Sequence, residues 1–421
     1  MFDKLVRNMN HKQTNGILIG PEFSRIFAEI ILQSIDVKLE NKFINKKLYN
    51  KRDYQIFRYI DDYFIFYNDI YLGDEIIKEL GILLKDFNLH FNDSKREDYD
   101  RPIITNLSIT KEKIKDLLED AICYNLEKME NDDENNDIKW IGNININSNK
   151  MKTKFRTILL ETSVEYSKIL SFTMYLITAN LNKLLKKYKQ DTKKNAKIKH
   201  VNLNLLIIAL NELIDFTFFI YSMCPRVSYS IKLCQFLGII LNFVKDIKKD
   251  DYKNLIFKSI YDKIYSILKQ DINNKEFHNI ETLYLFIILK ELGSDYLLPP
   301  SIVTAFKTSS KDKNFYWSVM VLLFYIQNLK QYSEIKKELI EEAIKCIKDL
   351  DLKETKRSLL SIDILSCPYI ESAAKEQILK LYSIPKELYG NFLNSSCNWF
   401  IKWNNFNFKK EVDNKIAREV Y

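Results

Sequence analysis

Two aspartates, Asp61 and Asp62, stand side by side between the apolar runs Tyr54–Ile60 and Tyr63–Tyr67. Runs of this kind read as two strands of a β-hairpin with the acids at its turn. Carboxylates packed this close repel each other unless a cation sits between or beside them. Mg²⁺ meets that need, with Mn²⁺ as its substitute, because it is bound by one or two carboxylates together with substrate phosphates. In a two-metal site one ion activates an attacking hydroxyl and the other steadies a leaving pyrophosphate. The competing expectation for Asp61-Asp62 is an ordinary solvated turn.

The elements around the pair have to position it. Gly20-Pro21 predicts a helix start with Pro at the first helical position, where its missing N–H costs little. Ile26, Phe27, Ile30, Ile31 and Ile35 recur at helical spacing, and the helix is expected to reach about Phe43. After the hairpin, closed by Asn68-Asp69 and Gly73, an amphipathic helix is predicted from about Asp74 to Phe87, ending in a turn with Asn88. Leu89–Asn92 reads as a short strand leading to Lys95. Residues 103–128 read as helix, and Glu130–Asn149 as a loop or linker with five acids in the eight residues Glu130–Asp137. From Met151 to Tyr421 the pattern is helical, with candidates at 153–187, 201–221, 227–246, 252–269, 276–292, 301–308, 315–330, 334–349 and 355–365. Paired helices of this length predict a bundle or an irregular α-solenoid.

The motifs around the acids carry a resemblance. Tyr59-Ile60-Asp61-Asp62 matches the Y-x-D-D signature of reverse transcriptases, with Arg58 before it. Upstream, Gln13–Ser24 followed by Ala28-Glu29 resembles their motif B, and downstream Leu89–Lys95 resembles motif D. The variant Ile17-Leu18-Ile19-Gly20-Pro21, with Ser24 and Ala28-Glu29, is similar to bacterial abortive-infection reverse transcriptases of the AbiK type, apart from Leu18 where Pro is usual. The motif-level likeness covers about residues 5–100.

The resemblance implies an α+β chain: a partial reverse-transcriptase palm over 1–102, a thumb-like helix and linker over 103–150, and a large all-helical domain over 151–421. Asp61 and Asp62 are then the metal ligands. Gly20, lacking a Cβ, lets backbone approach the incoming nucleotide. Ser24 and Ala28, four apart on one helix face, leave room for a base pair, unless they serve close helix–strand packing. Lys95 protonates or orients the leaving pyrophosphate, unless it is simply a solvated lysine. Tyr59 flanks the primer terminus, unless it is a buried hairpin aromatic. Ile19 stands where templated enzymes keep a polar Gln, which fits the implied activity: DNA synthesis from deoxynucleotides without a template, primed on protein, yielding single-stranded DNA in antiviral defence by abortive infection. The family's motif A, with a third Asp, and its fingers are not found before Gly16, so a fragment, a late start or a split enzyme is expected, with a missing palm/fingers polypeptide as partner. A templated, retron-like enzyme and a non-catalytic remnant serving in binding or assembly are the alternatives.

Composition narrows the rest. In 421 residues, 46% hydrophobic and 13% aromatic, Gly and Pro number only 8 and 7, which favours helices and two or three domains. The net charge of +8, from 64 Lys+Arg against 56 Asp+Glu, suits a polyanionic partner without requiring one. Six cysteines without a CxxC pair, and four histidines, predict reduced thiols in a cytoplasmic protein rather than a zinc site. The most apolar windows, Leu203–Met223 and Phe315–Ile326, read as buried helices rather than membrane spans. Lys183–Lys199, with eight Lys and one acid, and the Trp399–Trp403 aromatic patch with Phe406 and Phe408 are read as a solvated surface and as core or oligomer packing.

Overall fold

The structure, a computed structural model, describes residues 2–10, 12–14, 16, 18–99, 104–128, 140–194, 199–274, 280–393 and 399–415. The chain divides into two compact units, 1–103 and 104–421.

The first unit contains α1 (Phe2–Met9), α2 (Glu22–Asn45), the hairpin strands β1 (Tyr54–Tyr59) and β2 (Asp62–Tyr67), and α3 (Ile70–Lys85). Helices α2 and α3 pack together and cover one face of the hairpin around Ile35, Leu39, Phe43, Tyr54, Ile76, Leu80 and Leu84. Ion pairs from Lys42 to Glu79 and from Lys46 to Glu75 join the two helices at the surface. Pro21 is the N-cap of α2 rather than its first helical residue, so the helix begins one position later than predicted, at Glu22. Gly73 does not close the hairpin. It lies inside α3, which begins four residues before Asp74 because the Asp69 side chain accepts from the Tyr71 N–H and caps it. No strand forms over Leu89–Asn92; coil leads there to a single 3₁₀ turn, Asp93–Lys95, and among the described residues the two-stranded sheet gains no third member.

Helix α2 is apolar on two sides. Ile35, Leu39 and Phe43 face the core, while Ile26, Ile30, Val37 and Ile44 are exposed. At 100° per residue this second set forms a stripe on the side opposite the core. The outer hairpin face is apolar too: Phe57, Tyr59, Phe64 and Phe66 are all exposed.

Among its described residues the second unit is helical apart from one short hairpin. Helix α4 (Asn106–Ala121) ends seven residues short of the predicted 128. There β3 (Asn125–Lys128) pairs antiparallel with β4 (Trp140–Asn143), so the end of the predicted helix and a stretch inside the expected linker are strands instead. The acidic run Glu130–Asp137 lies outside the described residues. The helix expected over 153–187 is two helices, α5 (Ser148–Thr162) and α6 (Tyr166–Lys194), because Ser163 adopts a left-handed conformation at φ +52° that ends α5. Then follow α7 (Lys199–Ser222), α8 (Val227–Lys245), α9 (Asp250–Asn274), α10 (Ile280–Leu292), α11 (Pro300–Ala305), α12 (Phe315–Ile326), α13 (Ser333–Asp349) and α14 (Thr355–Ser366). The short helices α15 (Ser372–Leu381), α16 (Tyr389–Leu393) and α17 (Phe408–Asn414) complete the unit.

Alternate helices stack on one another in two rows: α4, α6, α8, α10 and α12 in one, α5, α7, α9, α11 and α13 in the other. This is the arrangement of an α-solenoid, in which each helix pair buries its apolar face on its neighbours. One continuous core, from Ile114 to Val412, runs through it. Helices α7 and α8 are long and apolar enough to cross a membrane, but 56% and 61% of their apolar windows is buried in the structure. The aromatic patch divides: Trp403 and Phe408 are buried and Phe406 stacks edge-on against Phe324, whereas Trp399 and Phe400 are exposed. Within the lysine-rich stretch, Lys187 and Lys189 lie over the rings of Tyr124 and Phe243. Cys123, Cys224, Cys234, Cys346 and Cys367 are free thiols; Cys397 lies outside the described residues.

Candidate active site at the hairpin turn

Cross-strand pairs run from Tyr54–Tyr67 to Tyr59–Asp62, leaving Ile60 and Asp61 as a two-residue turn. Side chains alternate along each strand. Tyr54, Ile56, Arg58, Tyr63, Ile65 and Tyr67 therefore point toward the helices, and Phe57, Tyr59, Asp62, Phe64 and Phe66 point away. Ile60 has φ +57°. A β-branched residue is a genuine outlier in that region, which costs an L-residue about 1–2 kcal/mol. Its surroundings have to hold it there.

Arg58 does this. Its side chain is only 8% exposed, and it donates to the Ile60 carbonyl at 2.9 Å. The same guanidinium forms a two-pronged pair with Glu29 at 2.8 and 2.7 Å and reaches Asp36 through Nε at 2.8 Å. Tyr63 donates its hydroxyl to the other Asp36 oxygen at 3.1 Å. The hydrogen bonds from Arg58 hold the Glu29 carboxyl below its usual range. The Glu29 hydrogen bonds, and then those of Asp36, raise Arg58 further above its already high value despite its burial. Burial first, then the Asp36 charge, pushes the Tyr63 phenol up, so it stays a neutral donor. Helix α2 thus grips the hairpin tip through one arginine and two acids.

Asp61 and Asp62 are both exposed at that tip, and no hydrogen bond or ion pair of the described residues engages either carboxylate. Two free carboxylates on a fixed backbone suit Mg²⁺, which draws its remaining ligands from water and phosphate. Among the described residues no group of three or more His, Cys, Asp or Glu side chains is gathered to hold a metal.

The other predicted residues are distributed as follows. Tyr59 is 60% exposed and pairs across the strands with Asp62, so it is not a buried hairpin aromatic. Gly20, just before α2, has φ +121° with open space where a Cβ would stand. Ile19 beside it is 97% exposed. Ser24 is buried with its hydroxyl unpartnered, and Ala28 one turn on is half-buried. Lys95 is exposed. Its segment is anchored at the α3 end, through Arg96 to Asp74 at 3.4 Å and Phe91 against Gly81, with no described hydrogen bond or ion pair to the turn. Asn15 and Ile17 of the upstream motif lie outside the described residues. Sequence reading missed Asp36 and the structural use of Glu29. The available signal was their seven-residue spacing, two helical turns, which puts both acids on one face of the helix.

Compared with family models, with curated proteins and with solved structures, the chain matches none.

Proposed function

We infer that the hairpin tip is the metal-binding corner of a nucleotide-joining site of the reverse-transcriptase type. The observation that carries this reading is the pair of exposed, unengaged carboxylates, Asp61 and Asp62, on a strained turn held by Arg58. Asp61 and Asp62 would hold Mg²⁺ or Mn²⁺, which supplies charge neutralisation for the attacking hydroxyl and the leaving pyrophosphate. Gly20 supports the reading through a backbone that only glycine adopts comfortably, beside open space. The exposed apolar Ile19 supports synthesis without a template over the templated, retron-like alternative, since it offers no polar contact to a templating base. Tyr59, Ser24, Ala28 and Lys95 are proposed as the nucleotide-facing groups. Deoxynucleotides are the proposed substrates and single-stranded DNA the product, in a cytoplasmic phage-defence enzyme of the abortive-infection kind.

Two carboxylates are fewer than a two-metal site uses. The third is proposed to come from a polypeptide bearing the fingers and a motif A strand. The test is incorporation of labelled deoxynucleotides with Mg²⁺ or Mn²⁺, by the chain alone and with such a polypeptide added. Activity is expected only in the complemented sample, and Asp61→Asn or Asp62→Asn abolishes it without changing the thermal melt. Incorporation that persists in the double variant overturns the assignment. A second reading, a non-catalytic assembly module, draws support from the two uncovered apolar faces of the first unit. It predicts tight binding of the complementing polypeptide with no synthesis.

A further inference from the structure

A second polar site lies on the helix-facing side of the hairpin. A cavity of about 120 Å³ is lined by Asp36, Leu39, Glu40, Asn50, Tyr54, Ile56 and Arg58. Two of its polar atoms are orphans. Tyr54 is only 4% exposed, and its hydroxyl has no hydrogen-bond partner; neither does the buried Oδ1 of Asn50. A buried polar atom left unmade costs about 1–3 kcal/mol, so a native structure calls for something to meet it.

The lining decides what that is. Asp36 is already engaged on both oxygens, by Tyr63 and Arg58. Arg58 is itself taken up by Glu29, Asp36 and the Ile60 carbonyl. Three acceptors remain: the Glu40 carboxylate, which no hydrogen bond or ion pair of the described residues engages, Asn50 Oδ1 and the Tyr54 oxygen. Two carboxylates among the lining groups exclude an anion. A divalent metal wants six or more oxygens or a shell of water, more than these three acceptors supply. An ammonium group donates three hydrogen bonds and carries one positive charge. Leu39 and Ile56 supply apolar wall for a short alkyl stem beside it. Burial first, then the Glu40 carboxylate, raises the Tyr54 phenol above its usual range, so it remains a neutral hydroxyl beside that acid.

We propose that this cavity binds a primary alkylammonium group, held by Glu40, Asn50 and Tyr54 with its stem against Leu39 and Ile56. Such a group is offered by a free polyamine or by the lysine side chain of another polypeptide. The proposal does not rest on the polymerase reading.

The test uses the full chain with isoleucine δ1-methyl labels, following the Ile56 methyl resonance during titration. Butylammonium is the parent probe, putrescine and Nα-acetyl-lysine methylamide represent the two sources, and n-butanol and tetramethylammonium are controls. Butylammonium should shift the Ile56 methyl saturably, and neither control should. Glu40→Gln and Asn50→Leu should each weaken binding about tenfold, the loss of one good hydrogen bond, while leaving the free Ile56 resonance in its folded position. Tighter binding of putrescine identifies the free polyamine as the source, and tighter binding of the lysine amide identifies a partner's side chain. No saturable shift with any amine, meaning that ordered water alone fills the cavity, overturns the proposal. So does binding of n-butanol as tight as that of butylammonium.

Discussion

Arg58 holds a costly backbone in place with bonds that no other side chain can copy. Lysine keeps the charge but offers a single point of donation instead of a fork. In Arg58→Lys the two-pronged pair with Glu29 and the bond to the Ile60 carbonyl cannot both survive beside Asp36. The expected loss is about 2 kcal/mol, the range for hydrogen bonds to charged groups, tempered by the partial exposure of both acids. Amide hydrogen exchange across β1 and β2 should quicken accordingly, while the helical unit is unchanged. Exchange at wild-type rates would mean that the turn is held by something else. Arg58 and the acids at 61 and 62 were legible because they sit in one short stretch of chain. Their supports were not: Asp36 and Glu29 lie 22 and 29 residues from Arg58, and only folding brings them together.

The helices were legible from periodicity, and their ends were not. Ser163 breaks a long apolar pattern without a Pro or Gly to announce it, and β3 and β4 are too short to print a period of two. Gly73 was misread for a related reason. Glycine suggests a turn, but this one sits inside α3 because a Cβ there would stand 2.5 Å from the Tyr67 ring. Gly81 on the same helix has only a 3.4 Å neighbour, Phe91. The pair makes a controlled experiment. Gly81→Ala should stabilise the first unit by roughly 0.5–1 kcal/mol, the helix-propensity gain. Gly73→Ala should destabilise it by about 1–3 kcal/mol, because the Tyr67 ring must move. Denaturant titration followed at the hairpin resonances compares the two, and equal shifts would refute the packing account.

In the helical unit, Asp215 of α7 accepts from Lys152 of α5 and Lys263 of α9. Burial pushes its carboxyl up, but those two ammonium groups outweigh it and hold it at about 2. A depressed folded value stabilises above the unfolded value near 4, and the gain disappears as pH falls from about 4 to 2. The increment is roughly 2 kcal/mol. Asp215→Asn should be the less stable protein at neutral pH, with a flatter melting temperature across that acid window.

The division into two units makes the placement of α4 testable. Ile114, Leu117 and Leu118 of this helix are buried in the core of the second unit, where α4 packs on α5 and α6. A fragment spanning 104–421 should melt cooperatively with dominant helical circular dichroism. One beginning at 151 should lose several kcal/mol, because those side chains no longer cover α5 and α6. Equal melting temperatures would show that α4 belongs functionally elsewhere. The apolar stripe on α2 has a consequence in time as well as in space. Of the 421 residues, the 318 beyond Ile103 follow the first unit off the ribosome. At ordinary elongation rates that takes roughly 15–60 s. Throughout, Ile26, Ile30, Val37 and Ile44 face solvent on a folded or folding nascent chain. Synthesis rate and chaperone supply therefore bear on yield before any chemistry begins, and slowing translation should lower the soluble fraction, with co-expression of the polypeptide proposed above expected to restore it.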